Sequence, residues 1–257
     1  MTEVLFRKRG SAAPVPATAH IRSGTVQIDG KALSLKEALP GVPFTGRVYG
    51  VLFNFPDALE EAMPILNGPP YKGAPEESVF YFKPDNTLSG FGDPIFLPEG
   101  EERARIHGTI GAVIGSFASR LTLHNALEHV WGYTLACDVS LPGNDFYRHP
   151  LKQRCRDGFC PVGPWVVPSR AAPDPQDMCF RLLVDGKEAQ TGNTAVMSRS
   201  FAELLVILTE FMSLFPGDVV LAGSPAGAPL VAAGQTVRIE ADGIGMLENP
   251  VVAGGGQ

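Results

Sequence analysis

The chain has 257 residues, a formal net charge of −6 at pH 7 and 19% charged residues. A chain of this length can bury most of its apolar surface in one large core. Its acidic balance and the lack of a long basic run argue against nucleic acid and an anionic membrane surface as partners. We therefore expect the partner to be a small molecule or another protein subunit.

The N-terminal segment, residues 1–45, mixes Pro and Ala in the run SAAPVPATAH. It holds one short alternating stretch, Thr25 to Ile28, and the following Asp29-Gly30 is typical of tight hairpins. We predict a small hairpin on a mobile arm. The chain then divides into an N-terminal appendage, 1–45, and a main domain, 46–257.

The main domain is predicted to contain mostly strands. β-Branched and aromatic residues predict strands at 47–53, 79–83 and 110–115, with a short helix at 57–63 and a loop at 64–75. In the C-terminal third, alternating residues and Asp-Gly turns predict strands at 180–184, 219–222, 236–240 and 246–252. With 29 glycines and 23 prolines as well, we expect a sheet-dominated α+β fold with few helices.

Two helices are predicted from apolar periodicity. Leu123, Ala126, Leu127 and Val130 would share one helical face, with Gly132 placed to end the helix. A second helix has its apolar face at Phe201, Leu204, Leu205, Leu208 and Met212. Ser200 and Glu203 match a capping box at its start.

The four cysteines, Cys137, Cys155, Cys160 and Cys179, have spacings that match no zinc pattern. The first ten residues are charged and lack an apolar core, so we expect no secretory signal, reduced thiols and a cytoplasmic location. The longest apolar run, 204–215, is too short to cross a bilayer, so no membrane segment is expected.

The most informative stretch is Gly132 to Phe159, GYTLACDVSLPGNDFYRHPLKQRCRDGF. It holds one carboxylate with apolar neighbours, Asp138, and then a basic cluster around Asp157: Arg148, Lys152, Arg154 and Arg156. This composition outlines a site for a metal ion or an anionic substrate.

This stretch, together with RCRDGFCPVGPW, LFPGDVVLAGSPAG and GIGMLENPVV, resembles the fumarylacetoacetate hydrolase family over about 46–252. The runs YKGAPEESVFYFKPDNTLSGFGDPI and FYRHPLKQRCRDGFCP carry a narrower resemblance to the amino-terminal half of the bifunctional isomerase/decarboxylases of 4-hydroxyphenylacetate catabolism. The resemblance implies a mixed sheet rolled into a β-sandwich or barrel-like form.

The resemblance also implies a metal centre. Family members hold Mg²⁺ or Mn²⁺ with three carboxylates, and the ion binds a 2-oxo acid and stabilises its enolate. Here Asp138 falls on the third carboxylate position, but the other two fall on His107 and Thr109. Imidazole suits softer transition metals, so we expect metal binding to be weak or absent in this chain.

Other family positions also differ. The histidine of an Asn-Tyr-x-x-His motif falls on Ala58, and the lysine before x-x-Asp-Gly-Phe falls on Arg154. A guanidinium cannot act as a general base, but it can bind a substrate carboxylate through two hydrogen bonds. The resemblance further places Asn193, Thr194 and Ser224, the last in a GSPAG turn, near the substrate.

Each of these residues also has a structural interpretation. Asp138 could cap a turn or pair with Arg154 or Arg156, and His107 could be a hydrogen-bonded strand residue. The basic cluster could be a solvated loop. Asn193 and Thr194 precede a helix and could be caps.

Three hypotheses for the function therefore stay open. In the first, the chain is a subunit of the isomerase/decarboxylase that acts on a small dicarboxylic 2-oxo acid, with catalysis in a homologous partner subunit or a homo-oligomer. In the second, it is a self-sufficient enzyme with altered metal ligands. In the third, it is a non-catalytic module that binds dicarboxylates.

Overall fold

A computed structural model describes residues 1–143 and 150–254 of the chain. The first nine strands are β1 Thr2–Phe6, β2 Val15–His20, β3 Thr25–Ile28, β4 Lys31–Ser34, β5 Val48–Leu52, β6 Val79–Lys83, β7 Leu88–Ser89, β8 Ile95–Leu97 and β9 Arg103–Ile114. The remaining strands are β10 Val130–Ser140, β11 Cys160–Pro168, β12 Cys179–Val184, β13 Lys187–Asn193, β14 Val219–Leu221, β15 Leu230–Ala232, β16 Thr236–Ala241 and β17 Gly245–Ala253. The α-helices are α1 Leu35–Ala38, α2 Pro56–Leu66, α3 Leu151–Arg154 and α4 Phe201–Phe211, and three 3₁₀ turns lie at Asp85–Thr87, Ala126–His129 and Thr194–Val196.

The described strands form two sheets. A 12-stranded sheet has the order β4-β3-β2-β1-β11-β10-β9-β14-β5-β6, with β15 also paired to β9 and β7 to β11. A 5-stranded sheet has the order β13-β12-β16-β17-β8. The sheet-dominated class with few helices is confirmed. The large sheet does not close into a barrel within the described residues, because β4 and β6 stand at its two ends.

The core lies where the two sheets face each other. The central strands β9, β10 and β11 are buried along almost their whole length, as strands covered on both faces must be. Trp165 on β11 is fully buried, and its indole nitrogen donates to the carbonyl of Ile244 at the turn before β17, 2.8 Å away. This bond fixes the small sheet against the large one.

The N-terminal segment continues the large sheet. The hairpin predicted at Thr25 to Ile28 is confirmed, and both turn residues, Asp29 and Gly30, have positive φ angles as a tight hairpin requires. β1 pairs with β11, and its inward residues Val4 and Phe6 belong to the main core. The segment is therefore not a free arm in this structure. The domain boundary at residue 45 stays a prediction.

The helix predicted around Leu123 to Val130 is wrong. Only a 3₁₀ turn, Ala126–His129, forms there, and β10 begins at Val130. The apolar spacing that imitated a helical face joins an exposed loop residue, Leu123, to buried Ala126 in the 3₁₀ turn and to buried Val130, the first residue of the strand. Gly132 does not end a helix but lies inside β10.

The other predicted elements are mostly confirmed. The second helix is α4, and Ser200 and Glu203 form the predicted capping box. The strand predicted at 79–83 has the predicted ends, and those at 47–53, 110–115 and in the C-terminal third occur with shifted ends. The helix at 57–63 is longer than predicted, because α2 continues through Pro64 to Leu66. The elements that were not predicted are the strands β1, β2, β7, β8, β10, β11, β13 and β15 and the short helices α1 and α3. The four cysteines are free thiols.

Gly132 provides a test of the packing of β10 against β11. A Cβ atom on Gly132 would lie 2.1 Å from the carbonyl oxygen of Val167, whereas one on Gly108 of β9 would meet nothing closer than 3.5 Å. We expect Gly132→Ala to lower the free energy of unfolding by about 2 kcal/mol or more, because backbone must move. Gly108→Ala should change it by less than about 1 kcal/mol. Urea unfolding of both variants checks this, and equal losses would contradict it.

Candidate functional site

The floor of the candidate site is a patch of two adjacent strands, β9 and β10. On β9, side chains alternate between the core and the opposite face, so that Arg105, His107 and Thr109 point away from the core-facing Ala104 and Ile106. On β10, Asp138 stands directly opposite His107, and Ser140 stands opposite Arg105. Pairing of these two strands therefore gathers polar side chains that are about 30 residues apart in sequence.

A cavity of about 310 Å³ lies over this floor. Its walls come from the end of β5, helix α2, strand β6, the loop before β15 and Arg154 at the end of α3. The polar residues that line it are Glu61, Tyr81, Arg105, His107, Thr109, Asp138, Ser140, Arg154 and Ser224. The apolar part of its wall includes Val51, Ala62 and Ile65. Polar groups facing an apolar wall are the usual lining of a small-molecule site.

Asp138 is the centre of the hydrogen-bond network in this cavity. Its Oδ1 accepts from the ammonium of Lys83 at 2.7 Å, and its Oδ2 accepts from the hydroxyl of Tyr81 at 2.6 Å and from Arg154 Nη1 at 3.2 Å. Its side chain is 3% exposed. Both oxygens of the carboxylate therefore have strong donors.

Lys83 is as fully bonded as its partner. Besides Asp138, its ammonium donates to the carbonyl of Arg154 at 2.7 Å and to that of Val139 at 3.4 Å. The side chain is 0% exposed. An ammonium has three N–H donors, and here each has an oxygen acceptor. The bonds join β6 to β10 and to α3, which holds Arg154 in place.

Tyr81 reaches Asp138 because a glycine lies beneath its ring. Tyr81 pairs with Gly50 across β5 and β6, and a Cβ on Gly50 would lie 2.2 Å from the tyrosine Cζ. The guanidinium carbon of Arg154 lies over the ring of Tyr81, 5.6 Å from the ring centre. The tyrosine is thus held by a close backbone on one side and by a cation near its π system.

The pKa values follow from burial and from these neighbours. Burial raises the pKa of Asp138, but Lys83 and then Arg154 outweigh it and hold that pKa below its ordinary value. Burial, and then the Asp138 charge, raise the pKa of Tyr81 well above 10. Burial lowers the pKa of His107 to about 4, and both Arg154 and Arg105 act in the same direction. At neutral pH the site therefore holds a carboxylate, a phenol and an uncharged imidazole.

The donors found here do not fit the divalent cation that the family resemblance implies. Mg²⁺ and Mn²⁺ need several oxygen ligands close to the ion, but both oxygens of Asp138 are bound to cationic or hydroxyl donors. His107 accepts or donates toward Ser140 Oγ at 3.3 Å, and Thr109 Oγ1 contacts its neighbour's carbonyl at 3.4 Å. Among residues 1–143 and 150–254, no three His, Cys, Asp or Glu side chains are grouped to hold a metal ion.

The structure brings together some of the residues singled out in the sequence. Asp138, His107, Thr109, Arg154 and Ser224 all line the one cavity. The pairing of Asp138 with Arg154, one of the structural alternatives, is observed.

Asn193 and Thr194 do not line this cavity. Asn193 caps the 3₁₀ turn by accepting from the Ala195 amide at 2.8 Å, and buried Thr194 accepts from the Met178 amide at 2.8 Å. Their interpretation as capping and structural residues is the one that the contacts support.

The basic cluster is divided by the fold. Arg156 donates to the Lys152 carbonyl at 2.8 Å, and Asp157 accepts from Asn86 at 2.6 Å. Neither Lys152 nor Arg156 lines the cavity. Arg148 lies outside the described residues.

Three residues of the site were missed in the sequence: Tyr81 and Arg105, which line the cavity, and Lys83, which pairs with Asp138 but does not line it. The signal was present in the strand VFYFK, where Tyr81 and Lys83 alternate with phenylalanines and so share a face. A lysine is almost never fully buried unless it is paired, so its burial here follows from the partner on β10 and not from the strand pattern. Arg105 is related in the same way to His107, two residues further along β9.

Known proteins resemble this chain in sequence and in fold. The 4-hydroxyphenylacetate degradation bifunctional isomerase/decarboxylase of Salmonella dublin is 40% identical over 208 residues, which cover 81% of this chain and 47% of that protein. The chain thus spans about half the length of the curated relatives it matches. The described part of the chain has no helix long and apolar enough to span a membrane.

Solved structures extend the likeness to the whole fold. The 5-carboxymethyl-2-hydroxymuconate delta-isomerase from Mycobacterium smegmatis has a TM-score of 0.81 at 28% identity, covering 100% of both chains. A maleylpyruvate hydrolase from Sphingobium sp. SYK-6, solved with manganese(II) and pyruvate, has a TM-score of 0.77 at 20% identity, covering 99% of this chain and 100% of its own. That second likeness is one of fold alone.

The family assignment rests on sequence over most of the chain. Residues 47–252 match the family described as fumarylacetoacetate (FAA) hydrolase C-terminal. This range includes the three central strands, β9, β10 and β11, and every residue that lines the cavity. The chain belongs to the fumarylacetoacetate hydrolase family.

Proposed function

We propose that the chain is the metal-free half of a two-part isomerase/decarboxylase of 4-hydroxyphenylacetate catabolism. Its substrates would be 5-carboxymethyl-2-oxo-hex-3-ene-1,7-dioate and 2-hydroxyhepta-2,4-diene-1,7-dioate. A homologous subunit with an intact carboxylate triad would carry out the chemistry. The names of the 40% identical relative and of the delta-isomerase neighbour support this substrate class.

The observation that carries the proposal is that both carboxylate oxygens of Asp138 already accept hydrogen bonds from Lys83, Tyr81 and Arg154. The Lys83 ammonium lies 2.7 Å from Oδ1, and Tyr81 and Arg154 already donate to Oδ2, so a divalent ion would meet a carboxylate whose two oxygens are both bonded. Bringing a second, doubly charged cation to the same oxygen would place like charges close together in a poorly hydrated site. The position thus carries a permanent protein cation instead of an exchangeable metal.

The remaining cavity residues also argue against independent catalysis. Ala58 lines the cavity where the family histidine is expected, and it cannot transfer a proton. Arg154 has no accessible neutral form. What the chain's own residues can do is bind an anion, orient it and keep part of it out of water. A transition-metal enzyme with His107 and Asp138 as ligands is disfavoured, because Asp138 would first have to lose Lys83 and Tyr81.

A reconstitution experiment tests the partner. The purified chain with Mg²⁺ should not decarboxylate 5-carboxymethyl-2-oxo-hex-3-ene-1,7-dioate above the uncatalysed rate, as followed by loss of ultraviolet absorbance. Adding a homologous subunit with all three carboxylates should give turnover faster than that subunit alone. Full activity of the isolated chain, or no effect of the chain on its partner, would contradict the proposal.

Manganese binding tests directly whether the hydrogen-bonded carboxylate of Asp138 can still bind a metal ion. A titration with Mn²⁺, monitored by electron paramagnetic resonance, should show no site with a dissociation constant below about 1 mM. The reason is that the charge of the carboxylate is already neutralised. The triple variant His107→Glu, Thr109→Glu, Lys83→Met restores three carboxylates and removes the ammonium. It should bind Mn²⁺ at least about tenfold more tightly than wild type. A variant with only the two Glu substitutions is the matched control, and micromolar binding by wild type would refute the argument.

The uncharged state of His107 gives a pH dependence. Unfolded histidine takes up a proton near pH 6.5, whereas folded His107 does so only near pH 4. Because the unfolded state binds more protons in this window, the free energy of unfolding should fall as pH drops from 6.5 to 4, by at most about 3 kcal/mol. Asp138 contributes less there, because its lowered pKa removes stability mainly as pH falls through and below its unfolded value of 3.8.

Urea unfolding at several pH values between 7 and 4 checks this dependence. His107→Gln should flatten the profile, because it removes the group that resists protonation in the folded state. The exposed residue His124 provides the matched control, and His124→Gln should leave the slope unchanged. An unaltered slope in His107→Gln would show that the imidazole is not held neutral.

A further inference from the structure

Arg105 is the cavity cation that the structure leaves without an acidic partner. Its Nη1 donates to the carbonyl of Ala228 at 3.1 Å. Within the described ranges, no carboxylate lies at ion-pair distance from it. The other arginine of the cavity, Arg154, already contacts Asp138. A guanidinium has five N–H donors, so the carbonyl of Ala228 satisfies only part of the capacity of Arg105.

The inner wall of the cavity carries an excess of positive charge. Asp138 balances only one of the two cations that contact it, Lys83 and Arg154, so one positive charge is left over. Arg105 adds a second. Glu61 is the other carboxylate of the lining among the described residues, and it is exposed and accepts from the Gly227 amide at 3.0 Å. The interior is therefore suited to a dianion.

The two arginines act on the same part of the cavity. Arg105 lies two residues before His107 on the same face of β9, and Arg154 contacts Asp138, which stands directly opposite His107 on β10. The imidazole of His107 is uncharged, so it neither attracts nor repels an anion through charge. Its ring still has a nitrogen that can form a hydrogen bond. The apolar side chains of Val51, Ala62 and Ile65 complete the lining and offer contact to a carbon chain.

We propose that Arg105 and Arg154 bind the two carboxylates of a dicarboxylic acid directly, without a metal ion, and that Arg105 determines the specificity for a second carboxylate. Planar guanidiniums bind carboxylates through two parallel hydrogen bonds, a geometry that an ammonium cannot provide. The inference rests on the proposed function, because it names how this half of the enzyme holds its substrate. It assigns no chemical step to the chain.

The test is calorimetric titration with 2-oxoadipate in the presence of EDTA. The wild-type chain should bind this dianion with no divalent ion present, and hexanoate, with one carboxylate, should bind at least about tenfold more weakly. Arg105→Gln should weaken 2-oxoadipate binding by about tenfold to a hundredfold and leave hexanoate binding nearly unchanged.

Arg103 provides the matched control. It lies two residues before Arg105 on the same face of β9, but it is exposed and outside the cavity. Arg103→Gln removes the same charge and should change the affinity less than about twofold, because an exposed charge is screened by salt. If Arg105→Gln does not fold, Arg105→Lys keeps the charge and should still lose several-fold affinity, since the two-pronged contact is gone.

Three results would overturn the inference: binding of 2-oxoadipate that requires Mg²⁺, equal losses in the Arg103 and Arg105 variants, or equal affinity for inorganic phosphate and 2-oxoadipate. Any of these could occur while reconstitution with a homologous subunit still gives turnover, in which case only the binding mode is wrong. Metal-free binding without any effect on a partner subunit would instead contradict the proposed function and leave this inference standing.

Discussion

The buried ion pair between Lys83 and Asp138 is the interaction on which the site depends. Burying two charges is costly, and the attraction between them offsets that cost only when the remaining donors and acceptors are also satisfied. Here they are, because the ammonium reaches two backbone carbonyls and the carboxylate accepts from Tyr81 and Arg154. Loss of one partner alone would leave an unpaired buried charge, at a cost of about 3 to 5 kcal/mol. The pair is therefore a fixed part of this fold.

The same pair determines what the cavity can attract. A carboxylate cluster would repel an anionic substrate until a metal ion neutralised it. In this chain Lys83 and Arg154 neutralise the carboxylate of Asp138. Together with Arg105 they make the interior of the cavity positive. His107 and Thr109 add no charge to this balance. The interior of the cavity is therefore able to attract an anion without a bound metal ion.

The sequence predicted the elements whose pattern is local and missed those that depend on distant partners. The capping box of Ser200 and Glu203 and the Asp29-Gly30 turn were predictable because the residues that form them are near neighbours. β10 was misread because its first buried residues follow a 3₁₀ turn at helical spacing. Family spacing correctly located Asp138, His107 and Arg154. Lys83 was missed because its partner is 55 residues away and is reached only when β5 and β6 pair beside the central strands.

The alternation of side chains along a strand explains why the site residues lie two positions apart in sequence. Arg105, His107 and Thr109 follow one another at a spacing of two on β9, and Asp138 and Ser140 do so on β10. A change of register by one residue would turn all of them toward the core. The apolar residues between them, which belong to the main core, therefore hold the polar set in the cavity. The hydrophobic packing of the central strands thus determines which of their side chains face the cavity.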